Sequence, residues 1–277
     1  MSQRRDPTDR TSPLAPSPAP STEIAPPVPT GDAEQRASPA DGADQRDADS
    51  RLDEPFCRRI DREGGTTLHL VGVVHDHPAS VARVRRVVAA TTPDALALEL
   101  PDGSLPLYRQ FAERDGDSRR GGEMSAAVDA APDARVVGID PLDARFVRSM
   151  AATVVRERHD RRTAWSLAKR TVGIARRIAH HRLAAAGLRD RSTVDDPTTY
   201  GCEDASPDEQ ADHESEHVSR CCLFRGVTER PPAVEITTDA RERRMAERLD
   251  ALDAETVVAV VGWGHLDALV RRLGSAR

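Results

Sequence analysis

Lysine is almost missing from this chain: Lys169 is the only one among 40 basic residues, and the rest are arginine. Aromatic residues make up 3% of the 277. That leaves few rings for stacking bases, and no recognised nucleic-acid motif is present, so nucleic acid is not the expected partner. No apolar run approaches the roughly 20 residues of a membrane span. The longest, residues 256–263, has the length of a strand. Behind Arg4 and Arg5 there is no apolar core of the kind a secretion signal needs. Cysteine is scarce too. Without a secretion signal, Cys57, Cys202, Cys221 and Cys222 do not read as a disulfide framework. These absences point to a soluble, cytoplasmic protein with no transmembrane segment. A net charge of −6 favours solubility and names no partner.

Residues 1–53 are rich in Pro, Ser, Asp, Arg and Ala and nearly free of large apolar side chains. Such a stretch cannot bury enough surface to offset the entropy of ordering it, so a disordered N-terminal tail is expected. Residues 54–277 have the length of a single domain. Short apolar runs at 67–74, 95–100, 134–139 and 255–261 read as buried strands, and helical spacing fills the gaps between them. This order predicts an α/β fold, an open and mainly parallel sheet with crossover helices. A helical insertion is expected over 142–189, with an apolar stripe at Trp165, Ala168, Val172, Ala175, Ala179 and Leu183. Residues 190–232 are acidic and turn-rich and read as a loop. A helix from about 238 to 252 precedes the last strand.

In open parallel sheets, ligands bind beyond the carboxyl ends of the strands. Four predicted strands end in polar groups: His75 with His77, Glu99, Asp140, and His265. If the strands are parallel, these side chains share one rim. Imidazoles with carboxylates suit a divalent metal, and equally suit acid–base work without one. Each also has a plainer reading as a cap, a turn residue or a partner of one of the many arginines.

Gly72-Val73-Val74-His75 and Gly262-Trp263-Gly264-His265 both read Gly-x-x-His, one at each end of the folded region, and a glutamate closes the second strand. Residues 239–246 add Asp-Ala-Arg-Glu-Arg-Arg-Met-Ala before the last strand. This set resembles the TraB family, which includes the PrgY pheromone-shutdown proteins and is related to the TIKI proteases. The resemblance covers about residues 67–140 and 238–274. It implies a divalent metal (Mn, Co or Zn) held by His75, Glu99 and His265, with Glu99 and Arg241 as catalytic or orienting groups; the strand ends, apart from the resemblance, add His77 and Asp140 as further site residues. It further implies a hydrolytic, peptidase-like activity on a small peptide or small-molecule ligand, or else sequestration of that ligand without turnover. Two departures stand out: Ser104 lies near the place of a family arginine, and Glu242 replaces an aspartate.

Three local features remain. His75-Asp76-His77 could place two rings on one metal if the segment is extended. His213, His217 and Cys221 recur four apart but match no standard finger, and coincidence is the default reading. Residues 145–191 hold thirteen Arg or Lys against three Asp or Glu. Weak contact with an anionic surface is one use for that stretch, and neutralisation by the acidic segment behind it is the default.

Overall fold

The computed structural model describes residues 49–52, 55–62, 64–114, 120–140, 142–190 and 197–274. The tail read in residues 1–53 lies outside these residues except for 49–52. There, Ser50–Leu52 form a 3-10 turn, and the Arg51 side chain reaches Gln210 at 3.3 Å.

Five strands form one mixed sheet in the order β1-β2-β5-β3-β4. They are β1 (Cys57–Asp61), β2 (Thr67–Val73), β3 (Ala95–Leu98), β4 (Arg135–Gly138) and β5 (Thr256–Gly262). Strands β2, β5, β3 and β4 run parallel, and β1 adds antiparallel to β2. β1 was not foreseen. Its sequence, Cys-Arg-Arg-Ile-Asp, lacks an apolar run because an edge strand faces solvent along one side.

Alternation along the strands feeds two cores. Val71, Val73, Leu96, Leu98, Val258 and Val260 face one side. There they meet α1 (Pro78–Thr91), α2 (Leu105–Arg114) and α3 (Gly122–Ala130) through Val84, Leu107 and Met124. Leu68, Leu70, Ala95, Ala97, Val257 and Ala259 face the other side. There they meet Met245 and Leu249 of α7 (Pro232–Asp250) and Leu269 of α8 (Trp263–Gly274). Strands covered on both faces read as continuous apolar runs, which is why periodicity found them. Each fully buried Val or Leu contributes about 1.5–3 kcal/mol. A smaller cluster joins α4 (Ala144–Arg156), α5 (Arg161–Ala185) and α7 through Phe146, Met150, Leu167 and Ile236.

The structure corrects two expectations and fixes the direction of the α5 stripe. The segment read as an acidic loop over 190–232 contains α6, a 21-residue helix at Pro207–Val227. Pro207 starts it, and Ser206 with Glu209 closes a capping box that satisfies its first free N–H groups. The stripe on α5 does not face the core: all six of its residues are exposed, and the helix buries Leu167, His181 and Ala184 instead. Nor does the acidic segment neutralise α5. Glu214 pairs with Arg83 and Glu216 with Arg220, and among the described residues no α5 cation forms an ion pair.

Candidate functional site

Because four strands are parallel, their carboxyl ends share one rim, and each is followed by a polar residue. β2 leads to His75, β3 to Glu99 and β4 to Asp140, while β5 runs directly into α8, which carries His265 in its first turn. The side chains meet over Gly262. A Cβ built on that glycine would lie 3.4 Å from Glu99 Oε2, 3.6 Å from His75 Nε2 and 3.8 Å from His265 Cδ2.

Glu99 is nearly buried, and both its oxygens are engaged. Oε2 accepts the Gly262 N–H at 2.7 Å, and Oε1 accepts from Arg241 Nη2 at 2.7 Å. Arg241 reaches down from α7. Its fork also donates from Nε to Asp140 Oδ1 at 3.0 Å and from Nη2 to Asp140 Oδ2 at 2.9 Å. Burial alone would lower the Arg241 pKa, but Asp140 and Glu99 more than offset it and the net direction is up. Nε and Nη2 are occupied by two carboxylates of the chain itself, and holding them is the role these two nitrogens fill.

The two histidines are oriented alike. His75 Nδ1 bonds Glu123 Oε1 at 2.6 Å, and His265 Nδ1 bonds Glu242 Oε1 at 3.0 Å. His265 Nε2 stands 3.4 Å from Glu99 Oε1, and His75 Nε2 faces the space over Gly262. A carboxylate on Nδ1 fixes the tautomer and aims Nε2, as second partners of ligating histidines do. The Glu123 carboxylate holds His75 up, to about 9. The same Glu123 accepts the Asp76 N–H through its other oxygen at 2.9 Å.

Sequence reasoning missed Glu123, which sits in the first turn of α3 and is almost fully buried. Glu242 was noticed only as a departure. Tyr200 was missed as well; its hydroxyl donates to the His75 carbonyl at 2.8 Å. Ser104 is buried and bonded to His181 of α5 at 2.8 Å, so an imidazole rather than an arginine occupies that corner.

His77 does not join this group. Asp76 adopts a left-handed backbone (φ 60) and turns the segment, so the two rings of His-Asp-His part. His77 is fully buried and caps α1, its Nδ1 accepting the Ala79 N–H at 3.2 Å. Its Nε2 lies 2.9 Å from His213 Nδ1 and 3.7 Å from Cys202 Sγ. The donor atoms of this trio all lie within 4.8 Å of one another, a metal-sized spacing. The protons argue otherwise. With Nδ1 accepting, the ring's proton is on Nε2 and points at His213. A metal there would need the His77 proton moved to Nδ1, at the expense of the Ala79 cap. Without one, the trio is a hydrogen-bonded clamp that joins the start of α1 to Cys202 and α6, and burial pushes His77 down to about 4. His217 and Cys221 contact each other one turn further along, at 3.6 Å.

Over the rim lies a cleft of about 1040 Å³ that reaches His75, Glu99, Asp140, Arg241 and His265. Arg170 and Arg177 of α5 border it, as does Arg225, whose guanidinium stacks on Trp263 at 4.5 Å. Compared with known protein families, curated proteins and solved structures, the chain matches none of them.

Proposed function

We propose that this cleft is the active site of a metal-dependent hydrolase of the TraB/TIKI type, with small peptides as the substrate class. The observation that carries the proposal is the matched pair of histidines, each with Nδ1 held by a glutamate and Nε2 turned toward the space beside Glu99. Nitrogen and carboxylate donors in this arrangement fit a borderline divalent ion. His75, His265 and Glu99 would hold it. The one described trio with all donors inside 4.8 Å is the His77 group, so binding here requires the three side chains to draw together. A manganese, cobalt or zinc ion bound there supplies Lewis-acid polarisation of a scissile carbonyl and lowers the pKa of water.

The chain's own groups do the rest. Glu123 and Glu242 keep both imidazoles in one tautomer. Arg241 and the Gly262 N–H fix Glu99, so its carboxylate is aimed before a substrate arrives and costs little to organise. Arg241 also ties Glu99 to Asp140, which locks the ends of β3 and β4 together. Elemental analysis of the purified protein beside His75→Ala and His265→Ala tests the reading. A near-stoichiometric metal in the wild type, lost in both variants, supports it and justifies a peptidase screen. No metal after incubation with manganese, cobalt and zinc refutes it.

A second reading, ligand sequestration without turnover, is favoured by the engagement of both Glu99 oxygens in the protein itself. It expects tight peptide binding and no cleavage. Peptide turnover that disappears in His75→Ala would sink it.

A further inference from the structure

We propose that the outward face of α5 docks onto the surface of an anionic phospholipid bilayer. The inference stands apart from the hydrolase reading and rests on what this helix leaves in water. Trp165, Ala168, Val172, Ala175, Ala179 and Leu183 recur at steps of three and four and line one face. All six are exposed, with Trp165 at 64%, Val172 at 58% and Leu183 at 37%. Leu188, just past the helix, is 73% exposed. The opposite face has its own work: Arg170, Ile174, Arg177 and His181 border the cleft, and Leu167 and Ala184 are buried. The stripe is thus a second, separate surface.

Charge selects the occupant. α5 carries seven Arg or Lys and no Asp or Glu, in a chain whose net charge is −6. At 100° per residue, Arg161, Lys169 and Arg176 fall on or beside the stripe, with Arg162 and Arg182 at its margins. Lys169 lies 5.5 Å from the Trp165 ring, so the ammonium sits beside the indole. An apolar centre with cationic margins is the pattern of a helix that lies in the headgroup layer, with arginine and lysine stems reaching out to phosphates. No described helix is long and apolar enough to cross a membrane, so the contact is with the surface.

Other occupants fit less well. A second α5 would set seven cations against seven. The acidic α6 of a second copy has Glu214 and Glu216 already paired within its own chain. Nucleic acid would meet the arginines but leave the indole and the aliphatic side chains without an apolar phase.

The test is flotation of the full-length protein with vesicles of phosphatidylcholine alone or with an equal share of phosphatidylglycerol. Trp263→Phe leaves Trp165 as the only indole and supplies a fluorescence readout. The proposal expects flotation with the anionic vesicles only, weakened at high salt, and a blue shift of Trp165 emission. Replacing Arg161, Arg162, Lys169 and Arg176 with Ser should lower affinity by more than about a hundredfold, at about fivefold per cation. Trp165→Ser with Val172→Ser and Leu183→Ser should abolish the shift and the flotation. All seven positions are solvent-facing or partly so, and circular dichroism melts confirm that the variants fold. Absence of flotation with anionic vesicles overturns the proposal, and so does flotation unchanged in both variants. A dimer in sedimentation velocity that the apolar triple dissolves would assign the face to a second copy instead. Duplex DNA binding that survives the apolar triple, without vesicle binding, would assign it to nucleic acid.

Discussion

Replacing Arg241 with Met removes the cation that holds two carboxylates at the centre of the rim. The Glu99 side chain is 4% exposed and that of Asp140 is 13%. Arg241 makes three hydrogen bonds to them at 2.7–3.0 Å. Removing one partner of a buried ion pair costs about 3–5 kcal/mol, because the remaining charge stays desolvated. Two features soften the loss: Glu99 keeps the Gly262 N–H, and Asp140 has some access to water. The expected cost is therefore near the lower bound, about 3 kcal/mol at neutral pH. For a body of this size that is a melting temperature lowered by about 10 °C. Urea unfolding followed by circular dichroism at neutral pH measures the loss. The double variant Arg241→Met/Glu99→Gln should recover part of the loss, since only one unpaired carboxylate remains. A single variant within about 1 kcal/mol of wild type, the scale of a surface ion pair, would refute the claim that Arg241 is the structural hub of the rim.

Three further outcomes are expected. The two histidines of His-Asp-His should give stability opposite pH limbs. His77, lowered to about 4, stabilises the fold above its unfolded value of 6.5, and that stability is lost as pH falls toward 4. The loss is on the order of 3 kcal/mol, and His77→Gln should remove the acid limb of a plot of melting temperature against pH. His75, raised to about 9, contributes stability that is whole below 6.5 and lost as pH rises through 9. Its ring is 61% exposed, so solvent screening holds this term to about 1 kcal/mol. Gly262→Ala should fold normally, because the new methyl meets its neighbours at ordinary contact distances of 3.4–3.8 Å. It should nonetheless weaken any metal bound by His75 and His265 by more than about tenfold, since it fills the space their Nε2 atoms face. A wild-type affinity in that variant, by isothermal titration with manganese, would move the metal elsewhere. Ser206→Ala should cost about 1 kcal/mol by opening the capping box of α6, read as a lower urea midpoint with an unchanged slope.

The parallel strands were legible because each is a short apolar run, buried on both faces in β3 and β5 and still apolar in the half-buried edge strand β4. The rim followed from topology: once the strands are parallel, residues just past their ends must be neighbours. What could not be read was anything decided by distant partners. Glu123 and Glu242 orient the histidines, yet in sequence they are ordinary helix glutamates. The apolar stripe of α5 was visible, but periodicity shows that a helix has two faces and not which one turns inward. Leu167, His181 and Ala184 settled that through contacts with α2, α4 and α7. The helix α6 is a different case. Ser206, Pro207 and Glu209 spell its start in the sequence, and the acidic composition behind them masked it.

His75 and His77 show most sharply where spacing stops carrying information. An extended segment would have set both rings on one side and made a paired ligand set. A single residue decides otherwise: Asp76 at φ 60 turns the backbone, so one ring opens to the cleft and the other enters the interior. From then on their chemistry diverges for physical reasons. His75 gains a buried carboxylate, which favours its cation. His77 gains a helix N–H, a neighbouring imidazole and no water, which favour its neutral form. Asp76 itself is held in the turn by Glu123 on its N–H and by the Thr198 N–H on its carboxylate. The glutamate that orients His75 also holds the turn that separates it from His77. Replacing Glu123 with Gln should therefore disturb both rings at once, moving the His75 titration down and loosening the α1 cap. Histidine resonances followed by NMR across pH would show the two changes together, and a shift confined to His75 would break the link.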